Sequence, residues 1–225
     1  MTVQKIAALV PMRHHSQRVP GKNFRELAGK PLFHFILNTL RECQLITEIL
    51  VDTDSEIILR DIKKNFPDVQ GLVRPDALRG DDVPMNEILL HDTQQIAADY
   101  YLQTHSTNPF LRADTITRAI KSFNSEIQQV DSLFSVTRIQ TRLWDEKTHP
   151  VNHDPNVLLQ TQDLPPIYEE NSCIYIFSAE KLKKRRNRIG EKPLMFEIPV
   201  EEALDIDDEN DFLIADLLMK YLTRS

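Results

Sequence analysis

Cysteine is scarce in this 225-residue sequence, which has only Cys43 and Cys173. Each sits inside an apolar pattern, which predicts buried free thiols and no disulfide. No apolar run approaches the roughly 18–20 residues of a membrane-spanning helix. The first apolar stretch, Ile6 to Val10, stops at Pro11, too soon for the core of a secretory signal. Internal repeats and low-complexity linkers are absent. So are the phosphate loop GxxxxGK[ST], the dinucleotide fingerprint GxGxxG and the hydrolase elbow GxSxG. Positive charge is not in excess either: the net charge is −7, which argues against nucleic-acid binding by the whole surface. These absences predict a cytoplasmic enzyme or binding protein that acts on neither membranes nor nucleic acid.

What is present is an ordinary soluble composition, 41% hydrophobic and 27% charged, in a chain long enough for a sizeable core. Strand-like and helix-like segments alternate. KIAALV (5–10) reads as a strand and PLFHFILNTLREC (31–43) as a helix with Pro31 in its first turn. EILVDTD (48–54) is a buried strand, and Ser55 caps the helix that follows. GLVRP is a third strand and 85–99 a helix. Then come a strand at 100–104, a helix at 113–124 and a strand at 132–138. Such alternation predicts an α/β fold with a mostly parallel sheet, where ligands bind beyond the carboxyl ends of the strands. The segment 139–170 is polar and proline-rich, and reads as a small lobe of hairpin type on a single unit spanning 1–225. CIYIF resumes strand character, 195–207 supplies another strand, and DDENDFLIADLLMKYL (207–222) closes the chain as a helix.

Two stretches carry chemistry. PMRHHSQRVPGKN (11–23) follows the first strand and holds Arg13, Arg18 and Lys22, a loop suited to phosphate through charge-assisted contacts. ALDID (203–207), read as a strand, sends Asp205 and Asp207 to one face and Ile206 into the core. Like charges side by side want a cation between them, and Mg²⁺ is held by one or two carboxylates plus substrate phosphates. A phosphate loop and an acidic metal pair at strand ends suggest nucleotidyl or phosphoryl transfer. Other signals are set aside. His149 and His153 flank Pro150 and read as surface histidines, His14 and His15 point to opposite sides if extended, and KLKKRRNR (181–188) reads as a solvated face.

PMRHHSQRVPGKNFRELAGKPL resembles the opening signature of the acylneuraminate cytidylyltransferase (CMP-sialic acid synthetase) family. ILVDTD, VRPDALRGDDV, YLQTHSTNPFLR, QDLPPIYEENSCIYIF and ALDIDDENDF are similar to later family segments in the same order. The resemblance implies a three-layer Rossmann-like nucleotidyltransferase fold with a dimerisation and sugar-side lobe at 139–170. It implies Mg²⁺-dependent transfer of CMP from CTP to the C2 hydroxyl of a 2-keto-3-deoxy sugar acid, with release of pyrophosphate, by a homodimer. Arg13, Ser16 and Lys22 would contact the CTP phosphates. Asn23, Arg74 and backbone groups around Val83 would lie at the nucleoside, and Gln103, Gln162 and Tyr168 at the acceptor. Asp205 and Asp207 would hold Mg²⁺, with Asp207 also helping to deprotonate the attacking hydroxyl. The sequence departs from the family pattern at His14-His15 and at Gln17. It departs again at Gln160-Thr161, where arginines often stand, and at Ser172, where the pattern has glycine. Arg112, Arg138, Arg142 and Lys147 are left to neutralise the acceptor carboxylate. The alternatives are another nucleotide or acidic acceptor, or a non-catalytic nucleotide-binding relative.

Overall fold

In the computed structural model, which describes residues 4–223, the first strand β1 (Ile6–Leu9) is wholly buried. Its side chains alternate between two cores because successive residues of a strand face opposite sides. Ile6 and Ala8 join one cluster, Ala7 and Leu9 the other. After the first loop come a two-stranded hairpin, β2 (Glu26–Leu27) and β3 (Lys30–Pro31), and helix α1 (Leu32–Glu42). There follow β4 (Glu48–Thr53), α2 (Glu56–Asn65), β5 (Gln70–Val73), α3 (Met85–Asp92) and β6 (Tyr100–Gln103). The second half holds α4 (Ala113–Glu126), β7 (Ser132–Ile139), β8 (Ile167–Phe177), α5 (Ala179–Arg185), β9 (Pro193–Glu197) and α6 (Glu209–Leu222).

Seven strands form one sheet in the order β5-β4-β1-β6-β8-β7-β9. β8 alone runs antiparallel to its neighbours β6 and β7; the other pairings are parallel. Residues of α1, α2 and α4 cover one face (Phe33, Ile36, Ile58, Ile62, Ile116, Ile120), and Leu89 of α3 and Leu182 of α5 cover the other. The mostly parallel, three-layer α/β fold read from the sequence is therefore the fold observed. From β1 the chain winds outward to β4 and β5, then returns to β6 on the other side of β1. The crevice beyond β1 and β6 is thus the switch point where open α/β sheets bind ligands.

A third cluster lies outside the sheet. Val19, Leu27 and Leu32 pack on Ile206, Phe212, Ala215 and Met219. It binds the first loop to the segment before α6, residues nearly two hundred positions apart.

Several expectations need correction. The helix read at 85–99 ends at Asp92. Residues 93–98 instead wrap the Tyr101 hydroxyl, which donates to the Ile96 carbonyl at 2.8 Å and accepts from the Ala98 N–H at 3.3 Å. A buried phenol needs partners, and the frayed helix end supplies them. The strand CIYIF is the second half of a longer strand that starts at Ile167, so the last residues of the expected lobe belong to the sheet. A bulge interrupts it where Ser172 takes φ 59°. The family pattern has glycine there, the residue that adopts this conformation without steric cost. ALDID is not a sheet strand: the Ile206 N–H donates to the Thr107 carbonyl at 3.0 Å, while Asp205 and Asp207 remain exposed and Ile206 is buried. The alternation survives although the ladder does not. The excursion between β7 and β8 is built of turns, one Trp144–Pro150 bridge and a 3-10 turn over Thr161–Asp163. Cys43 and Cys173 are buried free thiols, as expected. No helix among the described residues is long and apolar enough to cross a membrane.

Candidate active site

The first loop is folded, not extended. Gly21 sits at φ 64°, and a Cβ there would come within 2.8 Å of the Phe24 ring. The turn it allows carries Lys22 into the crevice, where its Nζ donates to the Ile206 carbonyl at 2.6 Å, between the two aspartates. Burial holds the Lys22 ammonium below the usual lysine range, with Asp205 and Asp207 pulling the other way. Arg18 donates to Asp207 Oδ1 at 2.8 Å. Although Asp205 as a residue is open to solvent, the atoms crowded round its carboxyl desolvate and raise it; a Thr107 hydrogen bond and Lys22 oppose this, and Asp207 adds repulsion. Asp207 and Asp208 both donate backbone N–H groups to Asp211 Oδ2. Asp208 accepts from the N–H groups of Asn210 and Asp211, closing a capping box on α6. Capping thus falls to Asp208 and leaves Asp205 and Asp207 for the crevice. Two repelling, oxygen-only donors on a partly buried ledge suit a hard divalent cation that takes its remaining ligands from water and phosphate.

Asn23 fastens the floor of the crevice. Its Nδ2 donates to the Arg13 carbonyl at 2.7 Å, and its Oδ1 accepts from the Ser106 hydroxyl at 2.6 Å, tying the loop after β1 to the loop after β6. Ser16 Oγ accepts from the Val19 N–H at 3.3 Å. Arg13 reaches across to Asp81 at 2.9 Å, and Gln17 donates to the other oxygen of the same carboxylate. This places the first loop against residues 79–84, where the Val83 N–H closes a turn on the Gly80 carbonyl. The two histidines do not diverge: their rings meet edge to face at 4.6 Å, because His14 is pinned by Asp54 and by the Ser55 hydroxyl at 2.7 Å.

Arg74 stands outside the crevice. It is 1% exposed and closed on Asp52 at 2.7 Å. Beside it, Asp92 is pushed up to about 9 by burial, then by its hydrogen bond to and repulsion from Asp52, with Arg74 opposing. A proton on Asp92 serves its hydrogen bond to Asp52, and His91 Nδ1 stands 3.4 Å from Asp92 Oδ1 and 3.8 Å from Asp52 Oδ2. Arg74, Asp52 and protonated Asp92 form a buried set, with His91 at its side. The Arg74 carbonyl accepts from Arg79 Nε at 2.9 Å, tying the start of the loop 75–84 to the buried set.

Gln103, at the end of β6, is fully buried. Its Oε1 accepts from Arg188 Nη1 at 2.5 Å, which turns its Nε2 toward His105 Nε2 at 2.9 Å. His105 Nε2 must then accept, so the ring proton sits on Nδ1. Burial, with Arg188 and Lys22 nearby, lowers His105 to about 3 and keeps the ring neutral. Gln162 and Tyr168 lie elsewhere, in the excursion and at the root of β8, where Tyr168 pairs with Arg138. His149 is exposed and bonded to Asp145, but His153 packs edge-on against Trp144 and is not a free surface histidine. Sequence reasoning missed two participants. Asp81 lay inside the quoted segment VRPDALRGDDV without a role. Arg188 was hidden in a basic run whose helix stops at Arg186, in the left-handed conformation, so that helical periodicity no longer says where position 188 points.

A doubly wound sheet whose switch point brings a cationic loop against paired carboxylates is the build of a nucleotidyltransferase. The cytidylyltransferase family model matches residues 7–218, and the chain belongs to that family. It is 31% identical, over 96% of its length and 97% of the relative's, to the CMP-N,N'-diacetyllegionaminic acid synthase of Legionella pneumophila. It is 26% identical to N-acylneuraminate cytidylyltransferase A of Danio rerio, covering 94% of this chain but 50% of that protein. The fold matches CMP:2-keto-3-deoxy-manno-octonic acid synthetase complexed with CTP at TM-score 0.73 and 14% identity, over 97% and 99% of the two chains.

Proposed function

We propose that the enzyme transfers CMP from CTP to the C2 hydroxyl of a 2-keto-3-deoxy sugar acid and releases pyrophosphate, with Mg²⁺. The observation that carries this is the meeting of Lys22 and Arg18 with Asp205 and Asp207 beyond β1 and β6, in a chain of the cytidylyltransferase family. Arg13, Ser16, Arg18 and Lys22 receive the phosphates, as cations and hydroxyls suit the charge spread over them. Asn23 and the loop at Val83 frame the nucleoside. Gln103 takes the acceptor, and Gln162 of the excursion and Tyr168 at the root of β8 reach it from the second subunit of the proposed dimer. Asp205 and Asp207 hold Mg²⁺, which would neutralise phosphate charge; Asp207 also draws the proton from the attacking hydroxyl. Alignment of nucleophile and leaving group does the rest.

The acceptor is proposed to be a nonulosonate bearing two amino substituents rather than N-acetylneuraminate. The name of the Legionella relative supports this, as does Gln160-Thr161 where the family pattern has arginines. The excursion between β7 and β8 exposes Trp144, Val151, Val157 and Leu158, which supports a homodimer through that lobe. The cytoplasm, where CTP is available, is its proposed place of work.

Pyrophosphate release with CTP against a panel of eight- and nine-carbon keto-sugar acids tests the reading. The expected result is the highest kcat/KM with a diamino acid. The highest value with N-acetylneuraminate would refute that acceptor, and comparable turnover with UTP would refute the nucleotide, because an unpaired base edge is costly.

A further inference from the structure

Arg188 differs from the rest of its basic run. Lys183, Lys184, Arg185 and Arg186 are exposed, whereas Arg188 turns toward the crevice and is partly buried. Its guanidinium carbon lies 3.6 Å above the centre of the Tyr175 ring. One nitrogen donates to Gln103 Oε1. Among the described residues no carboxylate lies within ion-pair distance of it, while sixteen other pairs are formed elsewhere. Glu170, whose charge acts on Arg188, accepts from the Tyr175 hydroxyl. Burial lowers the Arg188 guanidinium, with Tyr175 and then Glu170 only partly compensating.

A guanidinium has five donors in a rigid fork that fits a carboxylate two bonds at a time. Withdrawing it from water without an anion is unfavourable, so a site that does so is built to receive one. The location says which anion. Gln103 accepts from Arg188 and turns its amide nitrogen to His105, so the guanidinium sits at the carboxyl end of β6, beside the loop whose Ser106 is bonded to Asn23 of the first loop. Of the cations named from the sequence for this task, Arg112 and Arg142 have partners, while Arg138 and Lys147 are exposed side chains away from Gln103 in the sequence of elements. Arg112 faces Glu202 at 3.9 Å, Arg142 donates to the Leu159 carbonyl, and Arg138 stands opposite Tyr168 in the sheet.

We propose that Arg188 binds the carboxylate of the acceptor acid and is the residue that restricts the enzyme to acidic acceptors, with Gln103 and Tyr175 aiming its fork. The assignment rests on the acceptor reading given above. It explains how an anion is brought beside the triphosphate: each negative group meets its own cation, and the repulsion between them is offset locally. Arg188 touches substrate rather than the transferred phosphorus, so its loss acts on acceptor binding.

The experiment is steady-state kinetics of the wild type and Arg188→Gln with a keto-sugar acid and with its C1 carboxamide. Arg188→Gln should raise the acceptor KM about 10- to 100-fold, the size of one lost charged contact, with CTP KM and Tm unchanged. In the wild type the carboxamide should cost a similar factor; in Arg188→Gln it should cost nothing further. An unchanged acceptor KM, or penalties that multiply independently, overturns the assignment. A rise in CTP KM instead would move Arg188 to the phosphates and overturn it too. Should Arg188→Gln not fold, Arg188→Lys carries the same comparison, with partial rescue of the acid and none of the carboxamide expected. If the wild type transfers CMP to no keto-sugar acid, the acceptor reading itself fails, a result distinct from any behaviour of the variants.

Discussion

At the scale of single residues, the crevice is a balance of charges held in check by one another. Arg13 is occupied by Asp81, and Arg18 by Asp207. Both pairs are exposed and so weak on their own, which makes them easy to exchange for phosphate. Asp205→Ala or Asp207→Ala should abolish pyrophosphate release while leaving Tm nearly unchanged, because two repelling carboxylates add little to the fold. Full Mg²⁺-dependent turnover in either variant would remove the metal assignment. Lys22→Ala and Arg13→Ala should each weaken CTP binding by roughly 1.5–3 kcal/mol, the worth of a charged hydrogen bond. Calorimetric titration decides it, and unchanged affinity in both would sink the phosphate-loop reading. The raised Asp205 carboxyl sets a direction for pH: it takes up a proton earlier than an ordinary aspartate as pH falls. Apparent Mg²⁺ affinity should therefore drop on the acid side before the protein unfolds, which a Mg²⁺ titration of activity across pH would show.

At the scale of elements, ends and caps were readable where chemistry is local. Ser55 accepts from the Ile58 N–H at the start of α2, as its place before that helix predicts, whereas the choice of Asp208 for the box on α6 is made by the fold. Asp208→Ala should cost about 1 kcal/mol of stability, read as a lower denaturation midpoint, with KM for CTP unchanged; a large loss of activity would instead place Asp208 among the metal-holding groups. Elements set by distant partners were misread. Nothing near 93–98 in the sequence announces the Tyr101 hydroxyl that unwinds the end of α3. Nothing in ALDID reveals that its backbone meets a loop instead of a strand.

At the scale of the whole molecule, the buried set Arg74–Asp52–Asp92 makes folding depend on pH. In the unfolded chain Asp92 titrates near 3.8; in the fold it is pushed to about 9. The folded state therefore holds one proton more between these values, so its contribution is fully present below the lower value and is lost as pH rises through the upper. The expected slope is a loss of about 1.4 kcal/mol per pH unit at most. Asp92→Asn keeps a donor toward Asp52 and cannot titrate, so it should flatten the dependence of Tm on pH between 5 and 9. An unchanged slope would show that Asp92 is ionised in the fold. Assembly belongs to this scale too. Leu158 is 91% exposed in the excursion, and Leu158→Asp should convert the proposed dimer to monomer in light scattering. A wild type that is already monomeric would dismiss the dimer.

The sequence by itself determined the alternating α/β order, the buried strands, the Ser55 cap and the two stretches that carry chemistry. These depend on period-2 and helical patterning and on contacts within a few residues. Only the tertiary structure decided which charges meet. The cluster of Val19, Leu27, Ile206 and Phe212 brings Lys22 to Asp205 and Asp207, and the return of the chain to β6 sets Gln103 beside them. Arg74, assigned to the nucleoside by resemblance, went into the interior to Asp52; Arg188, assigned to solvent by its basic neighbours, went into the crevice to Gln103. A long cationic side chain reaches several ångströms in any direction its backbone allows, and its local sequence does not say where the compensating partner lies. That partner comes from another strand end, and the packing of the core puts it there.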